Sequence, residues 1–215
     1  FIPAGPKLGN KVFHIDSISK AFDAKVLIEN LSFDVPAGGI VGIIGPNGAG
    51  KTTFFKMLTG QEMPDSGSIE MGETVRLSYV DQNRDLDGEK SIIELIGKDR
   101  EIIPMGGREI PVRQYISWFN FPSADHYRKV SELSGGERNR VYLGLTLQDG
   151  GNVLFLDEPT NDLDVNTIRA LEEAIQAFPG CAMIVSHDRY FLDRICTHIL
   201  AFEGDSQVRF FDGNF

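Results

Sequence analysis

The residues with the clearest chemistry are Gly45-Pro46-Asn47-Gly48-Ala49-Gly50-Lys51-Thr52, which fit G-x-x-x-x-G-K-[ST]. An apolar run at 40–44 precedes them, and the helical segment 53–58 follows. Strand, glycine loop and helix in that order make a phosphate cradle. Glycines let successive backbone N–H groups turn inward on an anion, and the helix N-terminus adds the positive end of its dipole. Gly45, Pro46, Asn47, Gly48, Ala49, Gly50, Lys51, Thr52 and Thr53 are the expected phosphate-binding residues. Lys51 is expected to reach the terminal phosphates and the Thr52 hydroxyl to ligate Mg²⁺.

Two further groups fall where an open α/β sheet gathers its ligands, at strand ends. The apolar stretch 153–156 ends in Asp157-Glu158. Asp157 suits Mg²⁺, directly or through water, and Glu158 suits a base that polarises a water for in-line attack on phosphate. The apolar stretch 182–186 ends in His187-Asp188, so His187 is expected to face the same pocket and donate to a phosphate oxygen. His14, His126 and His198 have no such context and read as structural. Leu133-Ser134-Gly135-Gly136-Glu137 opens another helix. There Ser134 and Glu137 form a capping box, and the glycines offer a second anion cradle.

The elements that must hold these groups follow from periodicity. Segments 12–15 and 26–28 through 33–35 alternate as strands of an antiparallel sheet, with Phe22 between them. Phe22 is either core or a stacking surface for a planar base. A turn at 63–68 leads to short strands at 68–71 and 75–80. Residues 83–132 are more polar and carry no strong strand pattern. Helices are expected there at 91–96 and 112–119, with a Gly106-Gly107 turn between, as a helical subdomain inserted at about 83–150. Its cluster Trp118-Phe119-Asn120-Phe121 is either a packed core or a base-stacking platform. Helices at 166–177 and 189–195 and strands near 198–202 and 207–211 complete an α/β domain over 11–215. Residues 1–10, rich in Pro and Gly, read as a linker, and a chain starting at Phe1 reads as part of a longer protein.

The 215 residues suit one α/β domain, and 41% hydrophobic residues suffice for a core. A formal net charge of -10 argues against a freestanding nucleic-acid binder. Two distant cysteines in apolar contexts, Cys181 and Cys196, predict buried thiols of a cytoplasmic protein. No membrane span or signal peptide is visible in the sequence.

Taken in order, GPNGAGKT, Gln82, LSGGE, VLFLDE, NDLD and His187 resemble the nucleotide-binding domain of ATP-binding cassette proteins, over the chain from residue 11. The resemblance implies an ABC-type P-loop NTPase with a mixed, mainly parallel sheet, an antiparallel β-subdomain and a helical subdomain. It implies an ATPase using ATP and Mg²⁺, with Phe22 stacking on adenine and Gln82 sensing the metal beside Thr52 and Asp157. It also implies that Leu133, Ser134, Gly135, Gly136 and Glu137 face the ATP of a second cassette, on the same parent chain or in a homodimer. The segments 133–144 and 186–194 are similar to the soluble F subfamily, whose paired cassettes act on ribosomes. That implies ribosome, rRNA and tRNA as partners, closure on ATP near the ribosomal tRNA exit site, and no membrane. The long arm of that subfamily's first cassette has no counterpart here. Phe22 replaces the Tyr often found there, which keeps stacking and loses a hydroxyl. Arg108, Arg113, Arg128 and Lys129 are either RNA contacts or solvated charges. Two other functions fit the same motifs: the ATPase subunit of a membrane transporter and a regulatory ATP-binding module without turnover.

Overall fold

A computed structural model of the chain describes residues 7–9, 11–79, 86–105, 108–148, 150–161 and 163–214. Gln82, Asp162 and the Gly106-Gly107 turn lie outside the described residues. The elements in chain order are β1 (Phe13–Phe22), β2 (Lys25–Val35), β3 (Ile40–Ile44), α1 (Lys51–Leu58), β4 (Ser66–Met71), β5 (Leu77–Tyr79), α2 (Ile92–Gly97), β6 (Ile102–Met105), β7 (Arg108–Pro111), α3 (Val112–Trp118), α4 (Gly135–Gln148), β8 (Val153–Asp157), α5 (Val165–Gln176), β9 (Cys181–Val185), α6 (Arg189–Ile195), β10 (His198–Gly204) and β11 (Gln207–Asp212).

The central sheet has the order β11-β10-β3-β9-β8-β5. Its strands β10, β3, β9, β8 and β5 run parallel, and β11 closes the edge antiparallel to β10. A second, antiparallel sheet has the order β2-β1-β4. The mixed α/β architecture expected from the sequence is therefore present.

Strand periodicity divides the core. Along β8, Val153 and Phe155 pack toward the antiparallel sheet and α1, with Phe13, Ile15, Phe54 and Phe55. The alternate residues Leu154 and Leu156 pack on the other face with Ile92, Ile96, Tyr115 and Ile116 of the helical segment. In β9, Met183 and Val185 share the first side, and Ala182 and Ile184 the second. A buried parallel strand needs apolar residues on both faces, which is why these segments read as continuous apolar runs. Phe33 of β2 stacks on Phe210 of β11 at 4.6 Å, which joins the two sheets at their edges.

Three expectations are corrected. The region 83–132 does contain strands: β6 and β7 pair antiparallel from Ile102↔Pro111 to Met105↔Arg108. The two prolines in this hairpin, Pro104 and Pro111, disguised it, since proline is disfavoured in sheets except at edges. Phe22 is not between strands but is the last residue of β1, which is longer than the alternation suggested and carries register shifts near Ser17 and Ser19. The strand placed at 68–71 begins at Ser66, inside the expected turn.

Helix signals were more faithful. Ser91 caps α2, with Glu94 returning to the Ser91 amide in a capping box. Cys181 and Cys196 are buried as expected, and burial pushes each thiol up to about 12. His126 is fully buried, its Nε2 3.0 Å from the Phe121 carbonyl. Phe119 and Phe121 are core, while Trp118 stays partly exposed and packs edge-on to Tyr115. Of the four basic residues, Arg128 pairs with Glu137 and Lys129 with Glu89, and Arg113 lies over the Tyr127 ring. The Arg108 side chain lies outside what is described.

Candidate functional site

The C-terminal ends of β3, β8 and β9 converge on a cleft of about 320 Å³. It is lined by Asn47, Gly48, Gly50, Lys51, Thr52 and Thr53 from the glycine loop, by Asp157, Glu158 and His187 from the strand ends, and by Leu27 and Val185. Residues separated by more than a hundred positions thus meet at one sheet edge, where open α/β sheets place ligands.

The loop's glycines have separate causes. Gly45 has φ 145°, and a Cβ there would lie 2.5 Å from the Phe202 carbonyl oxygen. Gly50 caps α1 at φ 110°, and no side chain satisfies the helix's first amides. Those orphan N–H groups belong to residues that line the cleft, and they suit an anion. Lys51 folds back, donating to the Gly45 carbonyl at 2.6 Å and the Pro46 carbonyl at 2.9 Å. Burial lowers the pKa of its ammonium, against the opposing pull of Glu158 and Asp157. A polyphosphate would restore what burial removes.

The acidic side is likewise shaped by burial. Burial raises both Asp157 and Glu158 above the usual carboxylate range. Glu158 has φ 46°, an uncommon backbone for a residue with a side chain, held by its amide on the Val185 carbonyl at 2.8 Å. Its Oε2 accepts from the His187 amide at 3.2 Å. Its Oε1 stands 3.4 Å from His187 Nε2, near enough for charge attraction but without hydrogen-bond geometry, so this buried oxygen has no hydrogen-bond partner. The arrangement presents a carboxylate oxygen ready to accept a proton. Around His187, the Ser186 hydroxyl accepts from the Asp188 amide at 3.1 Å, and Asp188 caps α6 through the Phe191 amide at 3.0 Å. These bonds fix the turn that carries the imidazole.

Other predicted residues lie elsewhere. Gly45 and Pro46 border a neighbouring cleft of about 620 Å³ with His187, Arg189 and Glu203. Ala49 packs on the core beneath the loop. Phe22 does not line the phosphate cleft; it stands at the end of the β1–β2 hairpin with 46% of its surface exposed. Leu133, Ser134, Gly135, Gly136 and Glu137 open α4 at a separate place. There the Glu137 amide binds Ser134 Oγ at 3.3 Å, and Glu137 Oε2 accepts from the Ser134 amide at 2.8 Å, as the capping box requires. Sequence reading missed Leu27 and Lys25, whose ammonium donates to the Gly48 carbonyl at 2.9 Å. Nothing in the local pattern marks either residue.

A parallel sheet with a glycine loop under a helix N-terminus after β3 and paired carboxylates at the end of β8 defines an ATP-hydrolysing cassette. The chain belongs to the ABC transporter family, whose model matches residues 28–161. Among curated proteins it is similar to the energy-dependent translational throttle protein EttA of Haemophilus influenzae, with 57% identity over 216 residues, covering 100% of this chain and 39% of that protein. EttA of Mycobacterium tuberculosis is 54% identical over 219 residues, with the same coverage. The chain thus spans about 39% of the length of these relatives. Solved structures of like fold include a dimeric ATP-binding cassette in a post-hydrolysis state bound to ADP and Pi (TM-score 0.72, 19% identity, 94% of this chain and 98% of that one). Another is a bacterial Atm1-family ABC exporter with ATP bound (TM-score 0.74, 21% identity, 98% of this chain and 40% of that one). Among the described residues no helix is long and apolar enough to cross a membrane.

Proposed function

We propose that this cassette, occupying residues 11–215 with its helical subdomain at about 83–150, is part of a cytoplasmic F-subfamily translation factor. Its ATP-driven closure against a second cassette would control binding near the ribosomal tRNA exit site, with rRNA and tRNA as partners. The observation that supports this most is the 57% identity along the whole chain to a protein named for throttling translation.

The chemistry assigned to each residue combines the cleft's geometry with what the resemblance to ATP-binding cassettes implies for Phe22 and Gln82. The loop amides and Lys51 bind the β- and γ-phosphates, and Phe22 stacks on the adenine. The donor set fits Mg²⁺: Thr52 and Asp157 are hard oxygen donors on one cleft, and so few protein ligands leave room for phosphate oxygens and water. Together with Gln82, these residues would hold the ion, which supplies charge neutralisation at the phosphates. Glu158, with its unpartnered buried Oε1 and raised pKa, takes the proton of the attacking water. His187 donates to the γ-phosphate.

The segment Leu133–Glu137 is assigned to the ATP of the facing cassette, with Glu137 shaping the loop. A Cβ on Gly135 would meet nothing within 4 Å. That glycine is not demanded by this chain's own packing, as expected of a residue that meets a partner.

The test uses the full-length parent carrying Glu158→Gln and its counterpart in the other cassette, sedimented with ribosomes in ATP and in ADP. Co-sedimentation that depends on ATP supports the translation-factor reading. Absence of ribosome binding in both nucleotides overturns it and favours the ATPase subunit of a transporter.

A further inference from the structure

Phe22 and Lys25 are cross-strand partners at the turn end of the β1–β2 hairpin. From there Lys25 Nζ reaches the Gly48 carbonyl in the middle of the phosphate loop, at 2.9 Å. Leu27, two residues further on the same strand face, stands close against the loop: it lines the cleft with Gly50, and a Cβ added to Gly50 would come within 3.2 Å of Leu27 Cβ. A polar and an apolar latch therefore join the hairpin to the loop.

The hairpin end is also anchored from behind. The Lys20 ammonium sits over the Phe22 ring, 5.0 Å from its centroid. Its three protons are matched by Glu62 Oε1 at 2.8 Å, the Met63 carbonyl at 2.9 Å and Asp65 Oδ1 at 3.0 Å. Asp65 Oδ2 in turn accepts from the Ala21 amide at 2.8 Å, next to Phe22 in the chain. Lys20 is buried and committed to these partners, so it is a fixed support and not a free charge.

We infer that Lys25 is a positioning residue for the nucleotide: by holding Gly48, it fixes the distance between the Phe22 platform and the phosphate cradle. This rests on the reading of those two sites given above. A nucleoside triphosphate has a planar base at one end and phosphates at the other. When the two subsites keep a set separation, the second contact becomes intramolecular and its effective concentration is high. When the hairpin end is free, ordering it draws on the base's stacking energy, and the gain from the base shrinks. Lys25 acts through Gly48 and not by attracting phosphate, because it holds the loop from outside the cleft that Lys51 lines.

The experiment measures affinities of this chain for ATP and for tripolyphosphate, each with Mg²⁺, by titration calorimetry. The variants are Lys25→Met, Lys25→Arg, Phe22→Ala and the Lys25→Met/Phe22→Ala pair, each first checked for an unchanged melting transition. The latch predicts that Lys25→Met weakens ATP binding about tenfold while tripolyphosphate binding stays within about twofold. Lys25→Arg keeps the wild-type ratio of the two affinities, and the pair is no weaker for ATP than Phe22→Ala alone. Equal loss for both ligands would make Lys25 a plain electrostatic residue, and unchanged ATP binding would make it irrelevant. Either result overturns the inference. If Phe22→Ala leaves ATP binding intact, the base-platform reading fails and the inference falls with it. If Phe22→Ala weakens ATP binding and Lys25→Met does not, the role of Lys25 alone is refuted.

Discussion

Arg128 donates from Nη1 to Glu137 Oε1 at 2.9 Å, while the other oxygen of that carboxylate accepts from the Ser134 amide at 2.8 Å. The Glu137 carboxylate is thus held at both oxygens, and the amide of Ser134, its hydrogen bond first among the causes, takes its pKa down to about 2. Arg128 is thereby committed to the opening of α4.

Removing this pin should affect the paired cassettes and spare the single one. Arg128→Met leaves a carboxylate oxygen without its charged donor. ATP turnover by the closed pair is expected to fall about tenfold, with ATP affinity of the isolated chain unchanged, because residues 133–137 lie away from its own phosphate cleft. Equal ATP affinity and equal turnover would remove Arg128 from the assembly of that segment.

Glu158→Gln should slow hydrolysis and stabilise the fold together. The amide keeps the shape but cannot take the water's proton, so turnover is expected to drop at least ~10²-fold with ATP still bound. Burial raises the Glu158 pKa, so the ionised carboxylate costs stability above its folded-state pKa, and that cost fades as pH falls through that value. Glutamine has no such cost at any pH. The variant should therefore melt higher at pH 8, by about 2–4 °C for each kcal/mol recovered, with the gap closing toward pH 4. Calorimetric scans at the two pH values read this directly. A lower melting temperature at pH 8 would refute the account of Glu158 as a strained, desolvated base.

What the sequence made legible was whatever depends on local pattern. The fixed spacing of Gly45, Gly50, Lys51 and Thr52 marks the loop, and the apolar run ending at Asp157 marks β8, because each feature is contiguous. Ser134 and Glu137 likewise announce their helix start three residues apart. The β6–β7 hairpin was hidden because Pro104 and Pro111 lie within its strands and the pairing, not propensity, makes them. Lys25 on Gly48 and Asn120 on Asp164 were invisible for another reason. Each joins segments 23 or 44 residues apart through an ordinary polar side chain, and no spacing rule encodes such contacts.

Gly45→Ala should be among the most damaging single changes in the loop. The added Cβ would stand 2.5 Å from the Phe202 carbonyl oxygen and 2.7 Å from Phe202 Cβ, and the residue's φ of 145° suits glycine alone. Strained backbone of this kind costs about 1–3 kcal/mol, which for a domain of this size lowers Tm by several degrees. If the loop instead shifts to relieve the clash, Lys51 loses its two carbonyl partners and phosphate binding fails. Melting and ATP titration together distinguish the two routes. Wild-type values for both would show that the clash is absorbed elsewhere.

Asp164 joins the helical segment to the strand-end turn, and its removal should be read as acid sensitivity. It caps α5 through the Asn166 and Thr167 amides at 3.0 and 3.1 Å, accepts from Thr167 Oγ1 at 2.6 Å and from Asn120 Nδ2 at 3.1 Å, and lies 3.8 Å from Arg140. The Thr167 hydroxyl, first among these, holds its pKa down to about 2. A depressed carboxylate contributes stability above its unfolded pKa, near 4, and loses it as pH falls toward about 2. Asp164→Ala is therefore expected to cost about 1–2 kcal/mol at pH 7, the usual value of a helix N-cap. It should cost much less near pH 2, where the wild type has lost the same contribution. Asp164→Asn, which keeps a capping oxygen but not the charge, should recover only part of the stability at pH 7 and show the flatter acid profile. Urea unfolding across pH 2.5–7 measures all three. An Asp164→Ala deficit that stays constant with pH would mean the residue acts through packing and not through its charge.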